Sequence, residues 1–103
     1  MLTLTPLQRQ RLIMLRERWK VADLDLFGSA LGPAFGPESD IDLLVRFAPE
    51  ARWSLIDLAR MQEEAEAIFE RPVDLVTRRA VERSANPIRR EAILGSARPL
   101  LAA

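Results

Sequence analysis

With 103 residues, fifteen basic against fifteen acidic side chains, and no cysteine or histidine, the chain reads as one domain over 1–103, too short for two. A formal net charge of zero argues against general nucleic-acid binding, which favours basic surfaces. The missing residue types exclude thiol nucleophiles, disulfides, imidazole bases and Cys/His zinc sites; Lys20 is the only lysine and no P-loop motif is present.

The first residues, Met1-Leu2-Thr3-Leu4-Thr5, do not resemble a signal peptide, and no apolar run approaches the roughly 20 residues that span a bilayer. A cytoplasmic protein without a membrane segment is expected. Thr5 is a candidate N-cap with Pro6 at the first helical position, so a helix is predicted over Pro6–Lys20. Leu12, Leu15 and Trp19 form its inward stripe, widened by Leu7 and Ile13. Arg9, Arg11, Arg16 and Arg18 fall largely outside that stripe and read as a solvated face. Val21–Phe27 is a predicted strand, in which Leu24 and Leu26 alternate with Asp23 and Asp25. These two aspartates are read as its polar face and not as site residues.

Gly28 to Ser39 is rich in glycine and proline and is predicted as a loop, with a short helical turn near Ser29 limited by Pro33 and Pro37. Asp40–Phe47 follows as a strand whose Ile-Leu-Leu-Val content predicts burial on both faces. Ala48-Pro49-Glu50 breaks it. Ser54 is expected to cap a helix to about Phe69, with Leu55, Leu58, Ala65, Ile68 and Phe69 inward. Val73–Val76 is a third strand, apolar except for Asp74. A helical turn is predicted over Arg78–Arg83 and a helix from Pro87 to about Leu94, ended by Gly95, with Leu100-Leu101 as a final apolar anchor. The order predicts an α+β fold, a small mixed sheet of about three to four strands with helices packed on it.

The carboxylates carry the chemistry. Residues two apart on a strand share a face, so Asp40 and Asp42 are expected to point one way while Ile41, Leu43 and Val45 point the other. An ionised carboxylate on so apolar a strand needs a neutralising partner: arginine, a proton or a metal. If the Asp74 strand pairs beside the Asp42 strand, three carboxylates converge on one surface. Hard oxygen donors with no nitrogen or sulfur ligand favour Mg²⁺ or Mn²⁺, and three aspartates can hold two ions roughly 3.5–4 Å apart, the arrangement used for in-line phosphoryl or nucleotidyl transfer. Gly28 and Ser29 would supply the phosphate cradle, the glycine allowing close backbone approach and the hydroxyl donating to a phosphate oxygen.

The ordered set F-G-S, S-D-I-D-L-L-V ten residues after Ser29, and R-P-V-D-L-V-T resembles the minimal nucleotidyltransferase family of the DNA polymerase β-like superfamily, from about Val21 to Leu100. The resemblance implies a polymerase β palm-like fold, with Gly28 and Ser29 on the β/γ-phosphates of a nucleotide. It also implies Asp40 and Asp42 as ligands of both metals, and Asp74 as ligand of the catalytic metal and helper in deprotonating an acceptor hydroxyl. It implies Mg²⁺ (one or two ions), ATP as substrate, and a HEPN-type helical ribonuclease toxin as partner, this chain being the antitoxin. Arg71 is read as a local salt-bridge residue. The family usually reads G-S-x-x-R-G, whereas Gly32 and Pro33 stand here in place of the Arg and Gly. Loss of an arginine and of a backbone donor predicts weaker nucleotide binding, and so keeps a second expectation alongside the first: an antitoxin acting by binding alone.

Overall fold

The computed structural model describes residues 2–33 and 35–101. Helix α1 (Pro6–Arg18) starts where Thr5 accepts a hydrogen bond from the Gln8 amide while the Gln8 side chain accepts from the Thr5 amide, a reciprocal capping box. Strand β1 (Val21–Phe27) is followed by a one-turn 3-10 helix over Gly28–Leu31, which Gly32 ends. Strand β2 (Ile41–Phe47), helix α2 (Leu55–Phe69) and strand β3 (Val73–Thr77) form a crossover unit. Helices α3 (Arg78–Glu82) and α4 (Pro87–Ser96) and a two-residue strand β4 (Arg98–Pro99) complete the chain.

The sheet has the order β3-β2-β1-β4. β1 runs antiparallel to both neighbours, and β2 runs parallel to β3. This is the mixed sheet with helices that the sequence predicts, with one strand that periodicity did not reveal. β4 is too short to carry a pattern, and Pro99 is tolerated because the strand lies at the edge. The apolar anchor beyond it holds: Leu100 and Leu101 are buried, and the Leu100 amide donates to the Leu24 carbonyl at 2.9 Å.

Alternation along the strands divides the core in two. Leu24 and Leu26 of β1, Ile41, Leu43 and Val45 of β2, and Val73 of β3 pack with Leu12 and Leu15 of α1 and Met61, Ala65, Ile68 and Phe69 of α2. On the other face a smaller cluster joins Phe27 and Leu44 to Val81 of α3 and Ile93 of α4. β2 is therefore buried on both sides, as its composition predicts. Two expected core residues are not there. Leu7 is 55% and Leu55 85% exposed, because Leu7 lies about 140° around the helix from Leu12, and Leu55 about 240° around from Met61. Gly95 does not end α4, which continues to Ser96.

The exposed edge of β3 is closed by α2. The Val73 amide donates to Glu66 Oε2 at 3.0 Å and the Leu75 amide to Gln62 Oε1 at 3.3 Å. Residues four apart on one helix thus match main-chain donors two apart on one strand. Such an edge otherwise invites pairing with another chain. Tryptophans tie the end of α1 to α2 and to the segment before it: Trp53 Nε1 donates to the Trp19 carbonyl and Trp19 Nε1 to Glu64, each at 2.9 Å, with the rings edge to face. Among the described residues no helix is long and apolar enough to cross a membrane.

Replacing Gln62 and Glu66 together by alanine should lower stability by about 1 kcal/mol per freed amide in urea unfolding. Sedimentation should show concentration-dependent self-association through the uncapped β3 edge. An unchanged midpoint would remove the capping role.

Candidate active site

The parallel register sets Asp42 directly beside Asp74, on strands ~4.8 Å apart. Ile41, Leu43 and Val45 fill the main core, so Asp42 projects with Leu44 to the face shared with α3 and α4. On β3, Val73 and Leu75 belong to the main core, and Asp74 projects with Val76 to that same face. Two carboxylates therefore stand side by side at the leading ends of two parallel strands. The predicted pairing of these strands is what the fold contains.

Asp40 lies just before β2 and not within it, since the strand begins at Ile41. It is exposed, as is Asp74, whereas Asp42 is half-buried. Burial, and then the negative charges of Asp74 and Asp40, push the Asp42 carboxyl above the ordinary carboxylate value. Among the described residues none of the three takes part in an ion pair. Nor are any three carboxylates there gathered closely enough to enclose a metal ion as they stand. The donor set still suits a hard divalent cation: all-oxygen ligands, uncompensated by arginine, on an open surface.

Gly28 borders this pair. It sits at the end of β1 with φ +73°, and Phe27 is in register with Asp42. A Cβ at position 28 would collide with Asp42 Oδ2 and lie 3.4 Å from its Cγ. The backbone conformation thus favours glycine, a side chain there would displace the Asp42 carboxylate, and the main chain at Gly28 lies directly against it. Ser29 is exposed on this turn, while Ala30 beside it is fully buried and anchors the turn in the core.

The loop from Phe35 to Ser39 is held by a residue whose role the sequence did not disclose. Arg71 has no carboxylate partner among the described residues, which corrects its reading as a salt-bridge residue. Its guanidinium donates to the Gly36 carbonyl at 2.7 Å and the Ser39 carbonyl at 3.2 Å, and lies over the Phe35 ring at 4.3 Å. Ser39 Oγ accepts from the Gly36 amide, and the Ile41 amide donates to the Pro72 carbonyl. The segment entering β2 with Asp40 is thereby strapped to the one entering β3 with Asp74. Arg71 three residues before Asp74 was visible in the sequence, but its acceptors lie more than thirty residues away.

Asp23 and Asp25 are outside this site, as expected of a strand's polar face. Asp23 pairs with Arg46. Asp25, opposite Leu44 in register, has its carboxyl raised by burial and by Asp23, against Arg78 and Arg46 which lower it.

Residues 11–98 match the family model for the nucleotidyltransferase domain. A solved structure described as a minimal nucleotidyltransferase is 31% identical, with a TM-score of 0.69, covering 90% of this chain and 89% of that one. A toxin–antitoxin structure with AMP-PNP shares the fold at 22% identity and TM-score 0.70, over 92% of this chain and 73% of that one. So does a complex of tri-AMPylated Shewanella oneidensis HEPN toxin with MNT antitoxin, at 22% identity and TM-score 0.61, over 94% and 71%. Among curated proteins none matches.

Two outcomes follow from the geometry. A group whose folded-state carboxyl is raised destabilises the fold once ionised, fully above the folded value and not at all below the unfolded value near 3.8. Asp42→Asn should therefore raise the melting temperature at pH 7 in EDTA, with the gain vanishing as pH falls below that value. Gly28→Ala should cost about 1–2 kcal/mol in denaturant unfolding, from the left-handed backbone alone, and more if the Asp42 carboxylate cannot swing aside.

Proposed function

This chain belongs to the nucleotidyltransferase domain family, in its minimal form, and from that premise we propose that it transfers a nucleoside monophosphate, AMP from ATP, onto a hydroxyl of a partner protein. The partner is a HEPN-type ribonuclease toxin and this chain its antitoxin, as in the Shewanella complex whose toxin is AMPylated. The observation that carries the reading is the registered pair Asp42 and Asp74 beside the Gly28 turn.

Asp40, Asp42 and Asp74 would hold one or two Mg²⁺ ions, which would neutralise the triphosphate and lower the pKa of the attacking hydroxyl. The Gly28–Ser29 turn holds the β- and γ-phosphates through main-chain amides and the Ser29 hydroxyl. Asp74, the more exposed of the registered pair, helps take the proton of the acceptor hydroxyl. The acceptor oxygen bonds to the α-phosphorus as the bond to the bridging oxygen breaks, and pyrophosphate leaves. The carboxylates face an open surface, and the partner supplies the acceptor's binding wall.

A second reading, an antitoxin that masks its partner without chemistry, draws on one specific observation. Gly32 and Pro33 occupy the positions where the family carries arginine and glycine, and Arg71 is committed to main-chain carbonyls of the loop. No lysine or arginine stands in the sequence from Gly28 to Ser39, so the loop itself brings no cation to a phosphate.

With labelled ATP, Mg²⁺ and the cognate toxin, label should pass to the toxin and be lost in Asp40→Asn plus Asp42→Asn by at least about a hundredfold. Calorimetry should show saturable Mg-ATP binding. No binding and no transfer, with toxin neutralisation in cells unchanged when all three aspartates are replaced, would establish the second reading instead.

A further inference from the structure

At the opposite end of β2 from the carboxylates, about 13 Å along the strand from Asp42 to Arg46, the surface has another character. A groove of about 380 Å³ is lined by Arg46, Arg52, Arg78 and Arg79 together with Trp53 and Leu58. Among the described residues Glu82 is the one carboxylate in its lining. A second hollow continues it outward past Arg52, Trp53 and Arg79 to Ser54.

The four arginines are not equivalent. Arg46 is paired with Asp23 and Arg78 with Glu82. Arg52 and Arg79 border both hollows and have no carboxylate partner among the described residues. Arg52 is fixed by donating to the Pro49 and Ala51 carbonyls at 2.7 and 3.0 Å, which leaves the outer edge of a pre-oriented guanidinium to a ligand. Immediately beyond Ser54, the first turn of α2 presents Leu55 and Ile56, 85% and 68% exposed. Arginine and an aromatic ring beside large exposed aliphatic side chains is the composition of a protein-binding patch.

We propose that this groove docks an acidic segment of a partner protein, its carboxylates on Arg52 and Arg79 and a large apolar side chain against Leu55 and Ile56. Nucleic acid fits less well. Two of the four arginines are already neutralised by carboxylates, and the chain as a whole carries no net charge. The surface is remote from the carboxylate site and does not depend on nucleotide chemistry.

The test uses a fluorescein-labelled twelve-residue peptide of repeating Glu-Glu-Leu-Leu, its Gln-Gln-Leu-Leu counterpart and a twelve-nucleotide RNA, followed by anisotropy with the intact chain. Saturable binding of the acidic peptide is expected, weakened about tenfold by Arg52→Glu plus Arg79→Glu and about threefold by Leu55→Ser plus Ile56→Ser. Arg52→Gln plus Arg79→Gln should give an intermediate loss, with unchanged circular-dichroism melting showing that these surface variants fold. Asp40→Asn plus Asp42→Asn should leave peptide binding intact, which separates this surface from the nucleotide site. Absence of saturable peptide binding, equal binding of the glutamine peptide, or insensitivity to charge reversal overturns the proposal. RNA binding tighter than the peptide and lost on the same reversal would also overturn it.

Discussion

Everything in the candidate site depends on the parallel pairing of β2 with β3. That register brings Asp42 and Asp74 side by side, and the alternation of each strand sends both to the same face. Like charges at such spacing repel, and water alone does not draw them together. What holds them is the apolar content of the strands that carry them: Ile41, Leu43 and Val45 are at most 1% exposed, and Leu44 is buried on the reverse side. A slip of one residue would send Asp42 into the main core and Leu43 to the surface. The hydrophobic pattern thus fixes the carboxylate geometry, and the raised Asp42 carboxyl is its electrostatic consequence.

Helix α2 makes that pairing possible. Two parallel strands cannot be joined by a tight turn, and the helix supplies the crossover. One face buries Met61, Ala65, Ile68 and Phe69. Gln62 and Glu66 close the outer edge of β3, and Ser54 and Asp57 cap each other's backbone at the start. The same element therefore builds the core, joins the strands and ends the sheet. Its first turn and the loop before it also border the arginine groove, so the two ends of the sheet offer opposite chemistry, carboxylates at one and guanidiniums at the other.

Around this frame the site is left open. Asp40 and Asp74 are exposed, and the approach of Asp40 is set by Arg71 acting on carbonyls of the loop. A strand end and a strapped loop give different kinds of placement, one imposed by a buried ladder and the other by a single side chain. Asp42 and Asp74 are positioned in the first way and Asp40 in the second.

Much of this was legible from residues alone, because it rests on local periodicity and capping. Thr5 and Ser54 mark the starts of α1 and α2, β1 follows its alternation from Val21 to Phe27, and Asp42 and Asp74 stand in strands that were expected, while Asp40 falls just before its strand. The places where that reading failed are those where only angular position or distant partners decide. Leu7 and Leu55 are apolar but on the wrong side of their helices. β4 exists because β1 offers it an edge, and Arg71 finds its acceptors on a loop more than thirty residues away. By itself the sequence determined which residues could do the chemistry and which strands would carry them, since composition and period are properties of a local stretch. Only the tertiary structure decided that Asp42 faces Asp74, that the main chain at Gly28 lies against Asp42, and that Arg71 straps their two approaches together, because each depends on backbones brought adjacent by burial of the whole core.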